Sequence, residues 1–123
     1  MSMKKAALAA LLALGCATGA SAQEAAAEGR RLFQQRCASC HATETGINRI
    51  GPSLAGVTGR QAGRLEGARI TEALRGSGLT WDEATLDRFL QAPRQLVPGT
   101  SMMVALSNPA QRAAVLAYLA TLR

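Results

Sequence analysis

"RCASCHATETG" (residues 36–46) holds the chain's single histidine, His41, directly after Cys37 and Cys40, two cysteines separated by two residues. Thiols at i and i+3 lie one helical turn apart, and an adjacent imidazole extends the same set of donors. Three chemistries use such a set: a zinc site, a redox disulfide, and covalent attachment of a porphyrin. The remainder of the 123 residues separates them.

Ahead of this stretch the chain opens with MSMKK (1–5), runs through the apolar AALAALLALG (6–15) and reaches Ala20-Ser21-Ala22. A short basic start, an apolar run too short to cross a bilayer and an A-x-A pattern describe a secretory leader. Cleavage after Ala22 is expected, which leaves 23–123 as one domain. Cys16 lies in the leader. Lipid attachment there is not expected, because Ala13 stands where a lipoprotein signal usually carries leucine. Export into the periplasm puts Cys37 and Cys40 in a disulfide-permissive compartment. It also removes Lys4 and Lys5, the only lysines, and lowers the formal charge of +6 by two. All remaining fixed cations are arginines, a modestly basic balance that suits an acidic protein partner. No basic run with interleaved aromatics occurs, so no nucleic-acid partner is expected.

The periodicity is helical wherever it is regular. Over 24–37, Gly29, Leu32, Phe33, Arg36 and Cys37 recur at three-and-four spacing, which lines up one face. A glycine on that face costs about 1 kcal/mol against alanine, so close contact with another backbone is one reading of it and simple tolerance the other. From Ala42 to about Arg69 the signals are those of turns, with Ile50, Leu54 and Val57 as apolar anchors. Thr71–Arg75 suggests a short helix stopped by Gly76 and Gly78. Thr80 with Glu83 reads as a capping box for a helix bounded by Pro93. Asn108, Pro109 and Gln111 mark the start of the last helix, whose stripe is Val115, Leu116, Leu119 and Leu122 with Tyr118 alongside. No strand alternation or repeat is evident. The predicted fold is all-α with long loops.

That organisation decides the motif. A thioredoxin-like site needs a strand before the cysteines and a helix after them; here a helix leads in and a glycine-rich loop leads out. Structural zinc needs four ligands, and beyond the leader only Cys37, Cys40 and His41 are available. Haem attachment needs what is present: two thiols to add to one porphyrin edge and a histidine to reach the iron. A second axial ligand is then wanted, and Met102 and Met103 in VPGTSMM (97–103) are the candidates.

With the haem motif, GPSLAGVTGR (51–60), Trp81 and VPGTSM (97–102) in this order, the chain resembles a class I cytochrome c of the short mitochondrial or bacterial type, from Gly29 to about Leu119. The resemblance implies three main helices with short helices and long loops wrapped around one covalent haem c. It implies His41 and Met102 as iron ligands, Met102 rather than Met103, and the Pro52 carbonyl as acceptor of the other His41 ring N–H. It further implies Arg60 and Trp81 as donors to a haem propionate, and Gly29 and Phe33 as the crossing of the first and last helices near Tyr118.

Three departures qualify it. Phe89 stands where many members have a tyrosine, GARITEAL (67–74) lacks the usual aromatic and asparagine residues, and the lysine ring of mitochondrial members is reduced to Arg36, Arg49 and Arg94, with Ser101 replacing none. The expected function is a periplasmic one-electron carrier in a respiratory or oxidative chain, exchanging electrons with redox proteins through a basic haem edge. No catalytic residue and no small-molecule substrate are expected. A dedicated haem subunit of a periplasmic dehydrogenase, with Val97, Met103 and Val104 as exposed contacts, is the alternative. A peroxidase-type protein is disfavoured because no second histidine could assist peroxide cleavage.

Burial of roughly 400 Å² of apolar area around such a cofactor contributes about 10 kcal/mol as an upper bound, comparable to a domain's whole stability of about 5–15 kcal/mol. A chain with Cys37→Ala and Cys40→Ala is therefore expected to be largely unfolded by far-ultraviolet circular dichroism. A cooperative melt with full helix content is the contrary result.

Overall fold

The computed structural model describes residue 10 and residues 18–123, with side chains at residue 10 and from residue 21 onward. Cys16 and most of the leader read over 1–22 lie outside the described residues. Among the described residues five helices follow one another: α1 (Thr18–Arg36), α2 (Glu72–Arg75), α3 (Glu83–Gln91), α4 (Pro93–Leu96) and α5 (Pro109–Leu119). Three are long and two are single turns. Among the described residues there is no strand, only an isolated antiparallel bridge between Gln61 and Thr80.

The largest helix pair is α1 with α5. Leu32 and Phe33 of α1 are buried with Ala114, Val115, Leu116 and Leu119 of α5, and the Phe33 and Tyr118 rings meet edge to face at 5.6 Å. Gly29 sets how close the helices come. A Cβ there would lie 1.9 Å from the Ala114 carbonyl oxygen and 2.9 Å from Tyr118 Cβ, so the site admits a hydrogen and nothing larger. Of the two readings of this glycine, close backbone approach is the one observed. Behind this pair α3 supplies Leu86, Phe89 and Leu90 to the same core.

The start of α3 differs from the sequence expectation. Asp82, not Thr80, is the cap, and its side chain accepts from the Thr85 N–H at 2.8 Å. Thr80 is drawn away because its neighbours hold extended backbone: Trp81 N–H donates to Arg60 O, and Ala62 N–H to Leu79 O, both at 2.8 Å. Pro93 both bounds α3 and occupies the first turn of α4, where its missing N–H costs nothing. The α5 cap is as expected on the Asn108 side, whose Oδ1 accepts from Gln111 N–H at 3.1 Å; no return bond from the Gln111 side chain forms among the described residues.

The loop from Ala42 to Thr71 is irregular yet hydrogen-bonded. Leu54 N–H reaches Ala42 O, Gly59 N–H reaches Trp81 O, and Gly56 N–H reaches Leu122 O. Val57 anchors it in the core, but Ile50 does not, being 76 % exposed. Val97 is likewise corrected: it is buried and unavailable as a surface contact.

Gly29→Ala is expected to cost about 3 kcal/mol, the upper end for overpacking, because the obstacle is backbone rather than a mobile side chain. Denaturant titration of the haem-loaded protein measures it; a loss near zero would mean the helices can separate at no cost.

Candidate functional site

The cysteine pair continues the last turn of α1. Cys37 and Ala38 N–H both donate to Phe33 O, and Cys40 and His41 N–H to Cys37 O, at 2.8–3.1 Å. Because α1 is pinned against α5, the position of this turn follows from the helix crossing. Cys37 and Cys40 are free thiols, both half-buried. Burial raises the Cys37 pKa, with Arg36 opposing. Among the described residues no three His, Cys, Asp or Glu gather into a metal-holding cluster.

Cys37, Cys40 and His41 line a cavity of about 370 Å³, and so do Pro52, Arg60, Trp81 and Met102. All seven residues singled out in the sequence thus meet at one place. Met103 also borders it but is 75 % exposed, whereas Met102 is half-buried and packs against the core.

His41 is held from two sides. Its Nδ1 lies 2.7 Å from Pro52 O; a carbonyl only accepts, so Nδ1 bears the hydrogen and Nε2 keeps its lone pair. Gly51 packs on the ring, where a Cβ would fall 2.3 Å from Cε1, and its own N–H is tied to Cys40 O at 2.8 Å. Burial pulls the His41 pKa below the usual histidine value, partly offset by the Pro52 bond. Burial of this kind favours the uncharged ring, the form in which Nε2 can be given to a metal.

Arg60 spans the loop it closes, donating from Nη1 to Ala55 O at 3.1 Å and from Nη2 to Ser53 O at 3.0 Å, and burial lowers its pKa. Trp81 is buried against Phe89, ring centroids 4.9 Å apart, and its indole N–H makes no hydrogen bond among the described residues. Thr100 was not singled out in the sequence. Its Oγ1 is buried without a partner among the described residues, and Thr100 lines the cavity. An unpaired buried hydroxyl is costly in an empty protein and sensible beside a ligand with acceptors.

The residues therefore fit a haem: largely apolar walls, two thiols, a lone pair on Nε2, a thioether, and unpaired donors at Thr100 and Trp81 for acidic substituents. The departures seen in GARITEAL leave this intact, since Ile70 and Leu74 line the cavity with aliphatic carbon. The charged lining residues are Arg36, Arg60 and Arg69, with no carboxylate among them. Arg49 and Arg94 are exposed but do not border the cavity.

Residues 26–123 match the family model described as Cytochrome c. The chain is 52 % identical over 87 residues to cytochrome c2 iso-2 of Magnetospirillum fulvum, covering 70 % of this chain and 91 % of that one. It is 46 % identical over 96 residues to cytochrome c2 of Rhodomicrobium vannielii, covering 76 % of each. The solved structure of cytochrome cH from Methylobacterium extorquens superimposes with a TM-score of 0.72 at 41 % identity, covering 78 % of this chain and 97 % of that one.

Gly51→Ala is expected to push the imidazole off Pro52 and lower the melting temperature of the haem-loaded protein by several degrees. Gly76→Ala serves as control, since its Cβ meets only Glu72 O at 3.3 Å. Equal melting temperatures for the two variants would show that the ring does not need this space.

Proposed function

The chain belongs to the cytochrome c family, class I, and on that premise we propose that it shuttles electrons in the periplasm between a membrane-bound donor and a terminal acceptor. It is a single-haem c-type electron carrier with one covalently attached haem c. In this reading Cys37 and Cys40 would carry the two thioether bonds, His41 Nε2 would ligate the iron, and Met102 Sδ would supply a second ligand. The observation that carries it is the Nδ1–Pro52 hydrogen bond at 2.7 Å, which fixes the ring and leaves Nε2 as the only free donor of the only histidine.

When bound, haem iron supplies a one-electron couple. The chain's own residues set its conditions. Pro52 orients His41 and raises its basicity, as partners beyond the ligands do. Met102, a soft donor, favours the reduced state relative to harder ligands. Leu86, Phe89, Val115 and Leu119 keep water from the centre. Phe89 offers Met102 no hydroxyl. Trp81 and Thr100 would receive the propionates, together with the N–H groups of Arg60 that Ser53 and Ala55 leave free.

Where the cavity meets solvent, Ile50, Met103 and Val104 are exposed carbon and Arg36 and Arg69 supply charge, and this would be the surface of electron exchange. Such a surface suits a redox protein with an apolar port flanked by carboxylates. The exposed Ile50 and Met103 also favour the second reading, a lasting association with a periplasmic dehydrogenase. The leader over 1–22 belongs to this proposal, and no helix among the described residues is long and apolar enough to cross a membrane.

Absorption spectra of the oxidised protein and its variants test the ligand set. Met102→Ala is expected to abolish the sulfur-to-iron charge-transfer absorption and Met103→Ala to leave it intact; the reverse pattern overturns the assignment. Migration of the native protein alone or with a dehydrogenase separates the two partnerships.

A further inference from the structure

Arg112 is a charged side chain buried to 6 % exposure, and nothing in electron transfer yet accounts for it. Its Nε donates to Asp87 Oδ1 of α3 at 2.8 Å, and its Nη1 to both Leu106 O and Ser107 O at 2.9 Å. Arg36, next to Cys37, donates from Nη2 to Ala105 O at 3.3 Å. Three successive carbonyls, 105 to 107, are thus gripped by arginines. They close the loop that carries Met102.

That loop has little else to hold it. At its upstream end Thr100 is buried and its N–H bonds Val97 O at 3.0 Å; at its downstream end Leu106 is buried and its N–H bonds Leu90 O at 2.8 Å. Between them, no main-chain N–H of residues 101–105 donates to a main-chain carbonyl among the described residues. The Met102 side chain packs against the core, but the main chain of this segment is tied only near its two ends. At the downstream end the strongest tie is a buried charge-assisted network, worth more per bond than a neutral one.

We propose that Arg112 is a positioning residue for Met102, acting through the carbonyls of Leu106 and Ser107 to keep the methionine loop closed over the cavity. The inference rests on the reading of Met102 as iron ligand. Asp87 orients the guanidinium, so that α3, α5 and the loop share one joint. Loss of Arg112 leaves two carbonyls and a carboxylate to find water, which they do most readily with the loop open.

The test is the rate at which the oxidised, haem-loaded protein captures added imidazole, a step that requires Met102 to leave. Arg112→Met is expected to raise that rate at least about tenfold, the factor implied by one lost hydrogen bond to a charged group. Asp87→Asn and Arg112→Lys are expected to give smaller rises. Leu32→Ala, in the core but away from the cavity, is expected to lower global stability with capture near wild type. Capture within twofold of wild type in Arg112→Met overturns the proposal, as does an equal rise in Leu32→Ala. Should Arg112→Met not fold, unchanged capture in both Asp87→Asn and Arg112→Lys overturns it. Absence of the sulfur-to-iron absorption from the wild-type protein is a separate failure, that of the ligand assignment itself.

Discussion

At Gly29 the backbone of α1 meets the Ala114 carbonyl of α5 at a distance no side chain can occupy, and this contact governs what lies at both ends of the pair. The turn bearing Cys37, Cys40 and His41 grows directly from the end of α1, so its location is inherited from the crossing. On the other helix, Val115 and Leu119 face the same cavity. Two helices in intimate contact thereby present two thiols and an apolar wall to one space. Dispersion and burial across the crossing supply stability, while the glycine supplies the geometry.

The long loops are then ordered by main-chain hydrogen bonds rather than by regular structure. Residues 59 to 62 run beside 79 to 81 for the length of one bridge, which brings Arg60 next to Trp81 at the cavity. Arg60 in turn folds its guanidinium onto the carbonyls of Ser53 and Ala55.

Much of this was legible in the sequence, because the informative residues are chemically unusual. A lone histidine after two thiols, a methionine after Pro-Gly-Thr-Ser, and a tryptophan in an otherwise aromatic-poor chain each carry their meaning locally. What was not legible depended on distant partners. Thr80 carries the local signature of a cap, but pairing across to residues 60–62 claims its surroundings and passes the role to Asp82. Ile50 and Val97 are both aliphatic residues in loops; one faces solvent and the other is buried, and no local pattern distinguishes them. Arg112 reads as an ordinary surface charge on a helix until Asp87 and the carbonyls at 106 and 107 are brought to it. The unpaired hydroxyl of Thr100 is a fact about burial, which spacing alone does not report.

The cations bordering the cavity are all guanidinium groups. An ammonium ring attracts acidic partners without orienting them, each head being a compact charge on a flexible stem. A guanidinium is a planar fork that meets a carboxylate through two parallel hydrogen bonds. Attraction of an acidic partner to this face therefore weakens as salt rises, and the contact carries a directionality that a lysine-ringed surface would lack.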